Sequence, residues 1–117
     1  MSRSMNPHRF LRTILWLACV CVAAPSHAAE TVKIAFIDVL SGPFALTGEG
    51  SLKQLREVVL QMNSKSGPGD LKFEVVAFDG KGTAQESVTV LKSASDQGIR
   101  YVTQGGGSGV AFALVKS

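Results

Sequence analysis

Residues 71–103, LKFEVVAFDGKGTAQESVTVLKSASDQGIRYVT, contain two β-type runs on either side of one helical segment. The first run, 71–78, is mostly apolar and has the length of a strand. The helical segment opens with Thr83-Ala84-Gln85-Glu86, a capping box in which the threonine and glutamate side chains satisfy backbone donors. Gly98 supplies the left-handed residue that ends many helices, and the second run, 99–103, follows it. The stretch therefore predicts a strand, a helix and a second strand.

The same alternation extends to both sides of this stretch. Residues 32–37, VKIAFI, are apolar except for one lysine, which favours a strand that is buried on both faces of a parallel sheet. A helical face follows at spacings of three, four and three, formed by Leu52, Leu55, Val59 and Met62. Residues 66–70, SGPGD, end this helix, and a glycine-rich loop with a short apolar helix comes after the last strand. The order βαβαβα predicts an α/β fold with a three-layer parallel sheet.

The N-terminal residues 1–29 have the pattern of a secretory signal peptide. An apolar stretch of twelve residues, 13–24, is too short to span a bilayer, which needs about 20 residues. Small residues in 26–28 favour cleavage before Ala29 or before Glu30. The positive charges at the start come from Arg3, Arg9 and Arg12. Two alternatives stay open, a retained anchor helix and a lipoprotein anchor at Cys19 or Cys21.

Removal of this leader changes the chemistry that is left. It carries all the histidine, cysteine and tryptophan of the chain: His8, His27, Cys19, Cys21 and Trp16. The remaining residues 30–117 therefore offer no disulfide framework, no zinc site built on His or Cys and no histidine base. They contain nine basic and nine acidic residues, so their net charge is zero and gives no argument for nucleic acid.

Three loops are expected at the carboxyl edge of the sheet, where open α/β folds bind ligands: 38–48, 79–83 and 104–109. The third contains Gly105, Gly106 and Gly107, which let a backbone approach a ligand, and a serine hydroxyl. Exposed N–H groups at the start of the next helix would suit a carboxylate or a phosphate. A plain tight turn explains the glycines equally well.

An enzymatic alternative uses Asp38, Asp79 and Ser108 around a metal or a phosphate in a small secreted α/β protein. Aspartates at strand ends can bind a hard cation such as Mg²⁺. More often they cap the next helix or hold a loop. The glycine spacing also departs from the dinucleotide-binding, P-loop and nucleophile-elbow patterns. The residues thus favour a binding protein without a metal or cofactor over an enzyme.

Four segments together resemble the start of the periplasmic leucine/isoleucine/valine-binding protein family, the type I solute-binding proteins of ABC importers. They are LSGPFALTG at 40–48, MNSKSG at 62–67, FD at 78–79 and YVTQGGGS at 101–108. The resemblance spans the mature chain. It implies that residues 30–117 are a truncated N-terminal lobe, part of lobe one of a two-lobed clamp, or a fragment without function of its own.

The resemblance also implies which residues bind the ligand. In the family, the loop after the third strand grips the ligand's α-carboxylate and α-amino group, a role that falls on Gly107 and Ser108, with Val110 nearby. The loop after the first strand lines the pocket, which adds Leu40 and Thr47. The implied ligand is a branched-chain or related amino acid or a small carboxylate. The implied protein is a periplasmic monomer that delivers this ligand to an ABC permease in the inner membrane, without catalysis, cofactor, metal or nucleic acid.

Overall fold

The computed structural model describes residues 29–117, which form three parallel strands and three helices. The elements in chain order are β1 (Thr31–Asp38), α1 (Ala45–Lys65), β2 (Lys72–Asp79), α2 (Ala84–Asp96), β3 (Tyr101–Gln104) and α3 (Ser108–Val115). The predicted βαβαβα order is confirmed. The predicted signal peptide lies outside the described range, apart from its last residue. Among the described residues, no helix is both long and apolar enough to cross a membrane.

Strand β1 occupies the centre of the sheet, whose order is β2-β1-β3. Its second half, 35–38, is buried, and residues 35–37 are paired with a strand on each side. Register pairs Asp38 with Asp79 and Ile37 with Gln104. All three strands therefore end at the same edge, and the loops that follow them are brought together there.

The two faces of β1 pack against different helices. Ala35 clusters with Ala94 of α2 and with Ile99, as expected for one face of an alternating strand. Asp38 projects to the other face. There its carboxylate and the Ser51 Cβ of α1 both lie within 4 Å of the position that a Cβ on Gly105 would occupy. Helices α1 and α2 thus cover opposite faces of the sheet, which is the predicted three-layer arrangement.

Helix α1 differs in detail from its predicted apolar face. Leu52 and Val59 are buried, but Met62 is 49% exposed. The neighbouring Asn63 takes the inward position instead. Its amide donates to the Phe73 carbonyl at 2.7 Å and accepts the Phe73 N–H at 2.9 Å. Because β2 is an edge strand, this side chain satisfies backbone groups that no neighbouring strand reaches.

Helix α2 begins and ends where its sequence signals predict, but only half of the predicted capping box forms, because the Thr83 N–H donates to the Gly80 carbonyl at 3.0 Å and not to Glu86. The Thr83 hydroxyl accepts the Glu86 N–H at 3.3 Å, and Gly98 adopts a φ of 76° just after the helix. The Ile99 N–H still donates to the Ala94 carbonyl as part of this helix end. Strand β3 therefore begins at Tyr101, two residues later than the apolar run predicts.

Candidate functional site

The loops after the three strands enclose an open cavity of about 480 Å³ at the carboxyl edge of the sheet. Its walls combine apolar side chains with small polar ones, glycine backbone and two charged residues. They comprise Ile37, Asp38, Val39, Ser41, Gly42, Pro43, Phe44, Lys81, Gly82, Ser87, Gly106, Gly107 and Val110. All three predicted loops contribute to this lining. Mixed walls of this kind suit a small molecule with an apolar body and a polar group.

The loops after β1 and β2 are joined by one carboxylate. Asp79 accepts the Leu40 N–H at 3.0 Å and the Lys81 N–H at 2.9 Å. The pKa of Asp79 is held below its ordinary value of 3.8, first by the Ser41 hydroxyl and then by these two N–H groups, while partial burial opposes the shift. The ionised carboxylate is thus the form that holds the two loops together.

A second carboxylate explains two of the three glycines in the loop after β3. Asp38 is only 6% exposed, and its Oδ1 accepts the Val39 N–H at 2.8 Å. A Cβ on Gly106 would lie 2.8 Å from this oxygen, and a Cβ on Gly105 would overlap the other one. The Gly107 φ of 59° favours glycine for a different reason. Lack of room beside Asp38 therefore explains Gly105 and Gly106, and backbone conformation explains Gly107.

Helix α1 begins earlier than expected, and this shortens the first loop to residues 39–44. Residues 45–48, expected to be loop, form its first turn. Gly48 is buried there, and only glycine fits because a Cβ would overlap the Val39 carbonyl oxygen. Gly48, which the sequence analysis placed in a loop, therefore lets the helix pack closely against the segment after β1.

Two of the five predicted ligand-binding residues, Gly107 and Val110, line the cavity. The other three lie elsewhere. Ser108 is exposed at the start of α3, and Thr47 is exposed in the first turn of α1. Leu40 is half-buried and lines a separate depression along α1 together with Leu52. The structure thus brings together part of the predicted set.

Several lining residues were not singled out from the sequence. Phe44 directly precedes α1, and its side chain is 71% exposed beside the cavity. Lys81 has a φ of 50°, the one positive value at a non-glycine residue within 29–117. The weak sequence signals were an aromatic residue after Gly-Pro and a lysine between two glycines.

The geometry of the described residues gives little support to the enzymatic alternative. Of Asp38, Asp79 and Ser108, only Asp38 lines the cavity. Both carboxylates accept nearby backbone N–H groups, so they hold loops as the sequence favoured. In the part of the chain that the structure describes, no three His, Cys, Asp or Glu side chains come together as a metal site.

Comparison with known proteins gives consistent matches over the described region. The family model described as "Periplasmic binding protein" matches residues 31–117. The Leu/Ile/Val-binding protein of Escherichia coli K12 is 29% identical over 89 residues, which are 75% of this chain and 24% of that protein. Leu/Ile/Val-binding protein homolog 4 of Brucella abortus strain 2308 is 28% identical over 106 residues, 86% of this chain and 26% of that protein.

Solved structures resemble the same region. The branched-chain amino acid transporter substrate binding protein LivJ of Streptococcus pneumoniae, in complex with isoleucine, matches with a TM-score of 0.65 and 28% identity over 74% of this chain and 25% of its own. An amino acid ABC transporter substrate-binding protein from Pseudomonas fluorescens Pf-5 matches with a TM-score of 0.60 and 27% identity over 76% and 23%. This chain spans about a quarter of the length of the curated relatives it matches.

Proposed function

This chain belongs to the periplasmic binding protein family, and we propose that it serves as the substrate-binding component of an ABC importer. Its ligand would be a branched-chain or related amino acid or a small carboxylate. The observation that carries the proposal is the cavity where the loops after β1, β2 and β3 meet. The similar structure from Streptococcus pneumoniae is a complex with isoleucine, which supports an amino acid as the first ligand to test.

The lining of the cavity supports a ligand with two chemical halves. Val39, Pro43, Phe44 and Val110 offer apolar surface to an aliphatic or aromatic body. Gly106 and Gly107 line the cavity without a side chain of their own, so their backbone can approach a polar group closely. Under this proposal Gly107 and Val110 contact the ligand. The roles of Ser108, Thr47 and Leu40 stay predictions.

The wider assignment follows from the same proposal. Residues 1–29 would direct export to the periplasm, and residues 30–117 would form part of lobe one of a two-lobed, monomeric binding protein that passes its ligand to an ABC permease. The cavity would then supply one wall of the site, so we expect weak binding by the 117-residue chain. Binding would involve no catalysis and no cofactor.

A thermal melt of the 117-residue chain tests this function. We expect a cooperative transition whose Tm rises with isoleucine, leucine, valine or a small carboxylate such as phenylacetate, because a ligand that binds only the folded state stabilises it. Val110→Phe, which fills the cavity, should remove the rise. Val58→Phe is the matched control, since Val58 is 53% exposed on α1. A cooperative melt that none of these compounds shifts would contradict the proposed function.

A further inference from the structure

The dipeptide Asp79-Gly80 stands at the carboxyl end of β2, where the strand passes into a loop that lines the cavity. In an aspartate-glycine sequence the next backbone nitrogen reaches the side-chain carboxyl most easily, because glycine has no Cβ to hinder it. We propose that Asp79 is a site of spontaneous isomerisation to isoaspartate, and that the fold controls the reaction. It is blocked while the loops after β1 and β2 are held together and proceeds when they separate.

The reaction needs no reagent besides water. The Gly80 backbone nitrogen attacks Cγ of the protonated Asp79 carboxyl group, a C–N bond forms, and the carboxyl hydroxyl leaves with the amide hydrogen as water. Water then adds to the original main-chain carbonyl of the five-membered succinimide ring and breaks its bond to the nitrogen. The chain now runs through Cγ, and the former main-chain carbonyl is a free carboxylate. Mass and net charge are those of the starting protein.

The folded structure blocks the attack at both reacting groups. The Gly80 N–H donates to the Asp38 carbonyl at 2.8 Å, which continues the pairing of β2 with β1 and keeps the nitrogen engaged. The Asp79 carboxylate accepts the Leu40 N–H at 3.0 Å, which fixes its side chain toward the loop after β1. The Ser41 hydroxyl and the backbone N–H groups also lower the pKa of Asp79, so the protonated form that reacts is rarer.

The product does not fit the closed arrangement of the loops. Isoaspartate inserts its Cβ into the main chain, so the backbone before Gly80 becomes one atom longer and the free carboxylate is attached directly to Cα. Gly80 is buried against Ser87 of α2, whose hydroxyl a Cβ on Gly80 would overlap, so it has little room to shift. The shorter carboxylate arm is also withdrawn from the Leu40 N–H. Isomerisation therefore separates the two loops and lowers the stability of the fold.

Incubation of the 117-residue chain at neutral pH, in buffer and in denaturing guanidinium chloride, tests this control. Electron-transfer fragmentation of the separated proteolytic peptides distinguishes isoaspartate from aspartate at position 79. We expect isoaspartate to form in the denaturant, and about ten-fold or more slowly in buffer, because the reaction follows the population of the opened state. Asp96, followed by Gln97 at the exposed end of α2, is the internal control and should react slowly in both. No isoaspartate at position 79 in denaturant, or equal rates in the two solvents, would overturn the proposal.

Two variants at Leu40 separate the hydrogen bond between the loops from overall stability. Leu40→Pro removes the N–H that Asp79 accepts, and Leu40→Ala keeps it while it shortens the side chain. Each rate in buffer is measured equally far below the variant's own Tm and divided by the rate in denaturant at that temperature. We expect this ratio to be about ten-fold higher for Leu40→Pro, the size typical of one hydrogen bond to a charged group. Equal ratios would overturn the blocking role of the closed loops.

Discussion

Asp79, the last residue of β2, accepts the backbone N–H of Leu40 at 3.0 Å across 39 positions of sequence. The same oxygen accepts the Lys81 N–H at 2.9 Å. One carboxylate thus fixes the two loops that form most of the cavity. The parallel register of β1 and β2 makes this possible, because it sets Asp79 beside Asp38, two residues before Leu40.

Replacing Asp79 should therefore loosen the site and lower stability. Asp79→Ala leaves two backbone N–H groups without their acceptor, and we expect a loss of about 1–3 kcal/mol in the free energy of unfolding. Asp79→Asn keeps an amide oxygen in place and should cost less. Urea denaturation of both variants checks the order. Equal losses would mean that the negative charge, and not the acceptor, holds the loops.

The lowered pKa of Asp79 predicts a loss of stability in acid. A group with a depressed pKa in the folded state stabilises the fold fully above its unfolded pKa. That contribution is lost as the pH falls below about 3.8 and through the folded value. The free energy of unfolding should thus drop as the pH falls below about 3.8. In Asp79→Asn the drop should be smaller. Identical pH profiles for the two proteins would contradict this assignment.

The two hydrogen bonds between the Asn63 side chain and the Phe73 backbone should stabilise the packing of α1 on the edge strand β2. The Asn63 amide makes these bonds at 2.7 Å and 2.9 Å. Asn63→Ala should cost about 1–3 kcal/mol, since a half-buried backbone N–H and carbonyl lose their partners. Asn63→Asp keeps only the acceptor and should fall between alanine and the parent. Hydrogen exchange at the Phe73 amide gives a local readout, with faster exchange expected in Asn63→Ala.

The sequence predicts the order of elements well because the signals are local. Apolar runs locate the strands, and Thr83 and Gly98 mark the ends of α2. Apolar spacing does not predict that Asn63 faces the sheet, because its hydrogen bonds to Phe73 depend on β2 being an edge strand. The cavity is harder still to predict. Phe44 and Lys81 belong to it through the meeting of distant loops and through a backbone dihedral that the residue type alone does not show.

Two glycines of α1 should respond in opposite ways to the same substitution. Gly48→Ala places a methyl group on the Val39 carbonyl and must displace the helix or the loop, so we expect a loss of more than about 1 kcal/mol. Gly50→Ala meets open space and should gain about 0.5–1 kcal/mol from helix propensity. Thermal denaturation measures both. Stabilisation of the chain by Gly48→Ala would refute the close packing of this helix on Val39.

A double-mutant cycle can test the packing of the Asp38 carboxylate against Gly105. Gly105→Ala drives a Cβ into the Asp38 carboxylate and should destabilise the fold. Asp38→Ala also costs stability, because the Val39 N–H loses its acceptor. If the clash between the new Cβ at position 105 and the Asp38 carboxylate causes the first loss, the double variant should lose less stability than the sum of the two single losses. Gly109→Ala is the control, since its Cβ meets open space. Additive losses in urea denaturation would contradict the packing of Gly105 against the Asp38 carboxylate.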